Sequence, residues 1–134
     1  MRIILYGGTG FLGTNLASYF SNKDGNEVVI VSRSVSRLPA ENVTYIEWEL
    51  FQKESEQILR ATDVFFYLIG RAAPRQISNS EISVCGAEIA DLEFLFSRIA
   101  KAKLVFVYLS SGGSVYGESK GIAFSEQDEL FPIT

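Results

Sequence analysis

No histidine occurs among the 134 residues, and cysteine, methionine and tryptophan occur once each. Without histidine, His-based triads, His proton shuttles and the usual zinc sites are excluded, and no metal site is expected. The single Cys85 rules out an internal disulfide and CxxC chemistry, which suits a reducing compartment. It has no basic neighbour in sequence and reads as a small packed side chain rather than a reactive thiol. Positive charge is also short. Twelve Lys and Arg face sixteen Asp and Glu, a net charge of −4, so a nucleic acid partner held on a basic face is not expected. Long apolar runs are missing as well. None approaches the ~20 residues of a membrane span, and Gly7 and Gly8 interrupt the first one before a signal-peptide core forms. The expectation is a soluble cytoplasmic chain with no membrane partner.

What is present has an ordinary globular balance, 47% apolar and 21% charged. The length suits one domain with a real core. The short, nearly all-apolar run at residues 2–6 reads as a buried parallel strand, and residues 27–31, 43–48, 63–69 and 104–109 read as four further strands. Helical spacing fills the intervals. Leu12, Leu16, Tyr19 and Phe20 mark a face over residues 11–22, and Ile58 and Leu59 mark a short helix over 53–61. The longest helix spans about 80–102, with Ile82, Ala87, Ile89, Ala90, Leu92, Leu95, Phe96 and Ile99 as its buried positions. Trp48 ends the third strand and packs against a helix. The aromatic residues are read as core rather than as a base-stacking platform. This β–α alternation predicts a parallel sheet with helices on both faces, and right-handed crossovers give the order 3-2-1-4-5. Residues 117–134 are acidic and aperiodic until Leu130, Phe131 and Ile133, so the domain is drawn as 1–116 with a loop-like tail.

The chemistry concentrates between the first strand and the first helix, in Gly7-Gly8-Thr9-Gly10-Phe11-Leu12-Gly13. Gly7 permits the tight turn off the strand, Gly10 lets backbone approach a pyrophosphate, and Gly13 lets the helix pack closely. The helix N-terminus adds unpaired N–H groups and partial positive charge. In that setting the spacing predicts nucleotide binding.

Gly-x-x-Gly-x-x-Gly at the head of such a chain resembles the extended short-chain dehydrogenase/reductase family, which includes NAD-dependent epimerases and dehydratases of nucleotide sugars. Residues 63–74 are similar to that family's fourth strand and following loop. Residues 104–117, ending Ser114-Val115-Tyr116-Gly117, look like its fifth strand and active-site loop, and Phe124-Ser125-Glu126 with Pro132 fit the acidic turn beyond. The resemblance implies a Rossmann-type doubly wound domain, here five strands truncated before the sixth β/α unit. It also implies that the backbone at Leu68, Ile69 and Gly70 borders the cofactor ribose, and that Glu49 and Leu50 are the acid–apolar pair beside the adenine. The implied reaction is oxidation of a sugar carbon by hydride transfer, followed by re-reduction or loss of water, with a Tyr-x-x-x-Lys helix as acid/base. No such pair follows Tyr116. Tyr116 and Lys120 have the spacing, but Gly117 and Gly121 oppose a helix there. Where many relatives carry a substrate-binding Ser or Thr this chain has Gly112, which leaves Ser111, or else Ser114, to supply a hydroxyl; both equally read as residues that merely end a strand.

At the end of the second strand, where an NAD-selective site usually places an acid, Ser32 is followed by Arg33, with Arg37 beyond. A guanidinium there holds a 2′-phosphate, so NADP is expected in preference to NAD; the bland alternative is that both arginines are solvated loop charges. The function expected is the NAD(P)-binding portion of a nucleotide-sugar epimerase or dehydratase, inactive by itself because the acid/base pair and the sugar-binding half are absent. The rival reading is a non-catalytic dinucleotide-binding regulator or redox sensor. The fifth strand, apolar on both faces and at the sheet edge, predicts a homo-oligomer, unless Leu130, Phe131 and Ile133 fold back over it.

Overall fold

The computed structural model describes residues 1–34, 42–70, 77–109, 115–117, 121 and 123–131, with the backbone alone for 77–85. The elements run β1 (Arg2–Tyr6), α1 (Phe11–Ser21), β2 (Glu27–Ser32), β3 (Val43–Glu47), α2 (Trp48–Arg60), β4 (Val64–Tyr67), α3 (Ile77–Ile99) and β5 (Val105–Tyr108). All strand pairs are parallel, and the sheet order is β3-β2-β1-β4-β5, as expected.

The pleat sorts β1 between two cores. Ile3 and Leu5 join Val28, Ile30 and Val43 beneath Ala17 of α1, with Leu16 and Phe20 packed alongside. Ile4 and Tyr6 point the other way, joining Val29, Val31, Phe65 and Tyr67 beneath Phe51, Ile58 and Leu59 of α2 and Leu95 of α3. Because both faces of the central strands are covered, their sequences are continuously apolar. The carboxyl ends of β1, β2 and β4 converge with the N-terminus of α1, and that end of the sheet carries the candidate site.

Three expectations are corrected. First, α2 begins at Trp48, directly after Glu47, so Trp48 opens a helix instead of closing a strand. Second, α1 buries Gly13, Ala17 and Ser21, while Leu12 and Tyr19 are 54% and 58% exposed. Close approach to the sheet selects the helix face with the smallest side chains. Third, α3 turns Leu92, Leu95 and Ile99 inward but leaves Ile89 and Phe96 about half exposed, with Ala87 and Ala90 also exposed. Ile82 and Cys85 lie outside the described side chains.

At the edge, Phe106 of β5 stacks on Phe65 and touches Phe96, with centroids at 5.8 and 5.2 Å. Val105 and Tyr108 remain largely exposed. Beyond it, Tyr116 stacks on Phe124 at 5.1 Å. Leu130 and Phe131 are exposed, and Ile133 lies outside the described residues. Among the described residues no helix is long and apolar enough to cross a membrane.

Candidate functional site

The turn after β1 is suspended between its two neighbouring strands. The Gly7 N–H donates to the Val31 carbonyl of β2 at 2.8 Å, and the Leu68 N–H donates to the Tyr6 carbonyl at 2.9 Å. Gly7 has a φ of +84°, the left-handed region that favours glycine, and a Cβ there would come within 2.7 Å of Ile69 Cγ1. A Cβ on Gly13 would run into the Gly8 backbone, and one on Gly8 would lie 2.9 Å from Leu5. A Cβ on Gly10 would meet nothing within 4 Å. Gly10 is the extended N-cap of α1 and supplies no side-chain cap, so the first-turn N–H groups meet no capping oxygen from it. Thr14 Oγ1 and Asn15 Nδ2 donate to carbonyls of that turn instead, to Gly10 at 3.0 Å and to Phe11 at 2.7 Å.

A cleft of about 850 Å³ opens over this turn. Gly7, Thr9 and Gly10 form its base. On one side stand Val31, Ser32 and Arg33 after β2, with Trp48 and Gln52 from α2; on the other stand Leu68, Ile69 and Gly70 after β4, with Ala87 and Asp91 from α3. Ser32 is anchored twice. Its hydroxyl lies 3.1 Å from Thr9 Oγ1, and its carbonyl accepts from the Tyr45 hydroxyl at 3.0 Å. A smaller hollow of about 430 Å³, lined by Glu56, Gln57, Arg60 and Ala61, lies at the far end of α2 and has neither a glycine turn nor a helix N-terminus.

Of the residues singled out from sequence, Gly7, Thr9, Gly10, Ser32, Arg33, Leu68, Ile69 and Gly70 border the cleft together. Gly13 is buried beneath the turn. Phe11 and Leu12 sit in the first turn of α1 with exposed side chains that line no part of the cleft. Glu49 and Leu50 are placed by the early start of α2 in its first turn, exposed and outside the cleft lining, which Trp48 and Gln52 reach instead. Arg37, Ser111, Ser114 and Lys120 lie outside the described residues. Gly117, at a φ of +79°, takes the chain out of helical geometry directly after Tyr116.

Sequence reasoning missed Trp48, Gln52, Ala87 and Asp91. Each pair is spaced one helical turn apart, so a correct helix phase would have found both. Two described groups have displaced acidities, and neither lines the cleft. Burial, then the charge and hydrogen bond of Glu88, push the Tyr108 phenol above its usual range. A hydrogen bond from Lys101, then its charge, lower the Glu56 carboxyl. Among the described residues no cluster of acidic or sulfur ligands suits a metal ion.

A glycine-rich turn whose backbone faces the cleft, at a helix N-terminus where parallel strands end, is suited to a dinucleotide pyrophosphate. Comparison with known proteins points the same way. The profile of a family described as NAD dependent epimerase/dehydratase matches residues 3–134. The chain is 36% identical over 72 residues to Epimerase family protein YfhF of Bacillus subtilis (strain 168), an overlap of 54% of this chain and 23% of that protein. UDP-N-acetylglucosamine 4-epimerase from Methanobrevibacter ruminantium M1, solved with UDP-N-acetylmuramic acid, superposes with a TM-score of 0.78 at 25% identity over 98% of this chain and 44% of that one. UDP-glucuronic acid 4-epimerase from Bacillus cereus, solved with UDP-glucuronic acid and NAD, gives a TM-score of 0.81 at 23% identity over 99% and 46%. The chain thus spans less than half the length of the proteins it matches.

Proposed function

The chain belongs to the NAD-dependent epimerase/dehydratase family, and from that premise we propose that it forms the dinucleotide-binding portion of a nucleotide-sugar epimerase or dehydratase, with NADP preferred over NAD. The observation that carries this reading is the contrast within the glycine turn: Gly8 and Gly13 are closed to any side chain, while Gly10 is open to the cleft. Such a surface presents backbone N–H groups to an anion with no Cβ to hold it away.

In this reading the turn from Gly7 to Gly10 and the first turn of α1 hold the pyrophosphate. Ser32 and Arg33 take the adenosine ribose, and the chain at Leu68, Ile69 and Gly70 borders the second ribose. The nicotinamide, when bound, supplies reversible hydride acceptance. The residues of this chain bind, orient and exclude water. Arg33 supports NADP because a guanidinium offers charge-assisted donors to a 2′-phosphate, where an acid would repel it. Ser111 or Ser114 donates to a substrate hydroxyl in the whole protein. Proton transfer contributes typically ~100- to 10,000-fold to such reactions, and the 134 residues on their own are expected to turn over no nucleotide sugar.

Calorimetry of the purified chain with NADP and with NAD tests the reading. Binding of either, tighter for NADP, is expected. No heat from either at millimolar concentration would overturn it.

A further inference from the structure

The cleft wall nearest Arg33 contains the chain's one tryptophan. Trp48 is the first residue of α2, and its ring centroid lies 4.9 Å from that of Tyr6, tilted by 44°. Tyr6 is itself fully buried and packed against Phe51, Phe65 and Tyr67, at centroid separations of 5.4, 5.4 and 5.6 Å. The indole is therefore backed by an aromatic core that fixes its position, while its remaining surface is only half-buried and borders the cleft. Gln52, one helical turn on, borders the same wall and is exposed.

In a dinucleotide seated on the glycine turn, the end of β2 is the side that meets the adenosine ribose. Trp48 and Gln52 lie on that side, beyond Ser32 and Arg33 in the wall, where a base joined to that ribose has to go. Resting on the dinucleotide reading above, we propose that Trp48 is the platform against which the adenine ring packs, with the Gln52 amide at the edge of the base. A flat ring held in place before binding loses little freedom when a base stacks on it, so its surface counts nearly in full toward affinity. An exposed amide offers both a donor and an acceptor, the pattern that adenine's edge presents in return.

Because Trp48 is the sole indole, intrinsic fluorescence reads this contact directly. The 134-residue chain is titrated with NADP, NAD, adenosine 5′-monophosphate and nicotinamide mononucleotide, and fluorescence is followed beside calorimetry. The three adenine-containing ligands are expected to quench the indole, while nicotinamide mononucleotide leaves it unchanged. Trp48→Leu should bind both dinucleotides about tenfold more weakly, with most of the loss restored in Trp48→Phe. Should Trp48→Leu fail to fold, nuclear Overhauser contacts between indole protons and adenine H2 or H8 in the unmutated chain decide the matter, and they are expected to be present. Dinucleotide heat without quenching, absence of those contacts, or a folded Trp48→Leu with unchanged affinity would overturn the platform while leaving the cofactor reading intact. No heat from either dinucleotide would overturn both.

Discussion

Beneath the glycine turn, a Cβ on Gly13 would collide with the Gly8 backbone and one on Gly8 would come within 2.9 Å of Leu5; on the cleft side, a Cβ on Gly10 would meet nothing within 4 Å. The floor needs glycine so that α1 can lie close over β1. The rim has no packing need of its own for glycine at Gly10, which sits at an ordinary φ of −80°. Packing accounts for the floor, and only under the proposed function does the rim acquire a reason for glycine, the close approach of a ligand.

The largest expected effect separates the two. Gly13→Val drives two methyls into backbone and should cost about 3 kcal/mol or more in urea denaturation, since a shift of α1 is the only relief. Gly10→Val should cost only about 1 kcal/mol, mostly from a poorer N-cap, yet abolish dinucleotide binding in calorimetry. If both variants lose stability equally, the distinction between floor and rim fails. Next in size is Arg33→Ala, also on the rim. It should lower NADP affinity by about tenfold, the worth of a lost charge-assisted bond, with NAD affinity and melting temperature nearly unchanged. Tighter binding of NAD than NADP by the unmutated chain would make Arg33 a solvated loop charge.

A third surface belongs to neither region. Val105 and Tyr108 of the edge strand β5, and Leu109 directly after it, are about half exposed, and an uncovered apolar edge pairs readily with another chain. Sedimentation at ~100 µM, within the range where such edges associate, should show a species larger than the monomer, and Val105→Lys should return it to monomer. A monomer at that concentration without the substitution would show that β5 is tolerated bare.

The central strands were legible because parallel strands buried on both faces are short apolar runs, and the order because the crossover rule leaves few arrangements. The glycine turn was legible because each glycine has a distinct task at its spacing. The helix faces were not. The N-cap of α2 is Glu47, which makes no side-chain capping bond, so the Ser, Thr, Asp or Asn signal that announces a helix start is missing. Reading the strand through Trp48 misplaced the helix phase and hid Trp48 and Gln52; Glu49 and Leu50, named from the family resemblance, fall in the first turn of that helix. In α1, apolar spacing favoured Leu12 and Tyr19, but the helix approaches the sheet so closely that Gly13, Ala17 and Ser21 take the inner face. The glycine spacing announced the close approach at Gly13, but the apolar spacing alone did not show that the face continuing it, through Ala17 and Ser21, is the inner one.

The smallest effect expected lies outside the cleft lining and so serves as a control for floor and rim. Glu56 of α2 accepts from Lys101 Nζ at 2.9 Å and has Arg98 at 3.9 Å. The Lys101 hydrogen bond and charge, with lesser help from Arg60 and Arg98 and some opposition from burial, hold its carboxyl below the ordinary glutamate value. A group whose acidity is greater in the folded chain than in the unfolded one stabilises the fold at every pH above its ordinary value, and that contribution disappears as pH falls through the lowered one. Glu56→Gln should therefore match the parent chain in the acid range where Glu56 is protonated, and fall slightly short of it at neutral pH. Because the pair is open to solvent, the gap should be small and should close in molar salt. Paired denaturation curves across pH measure it, and a gap that widens toward acid would reverse the assignment. Dinucleotide affinity should be the same in both chains, because no part of the cleft lining includes Glu56; a change in affinity would mean that the cleft and the far end of α2 are coupled, and the separation between supporting and binding surfaces would have to be redrawn.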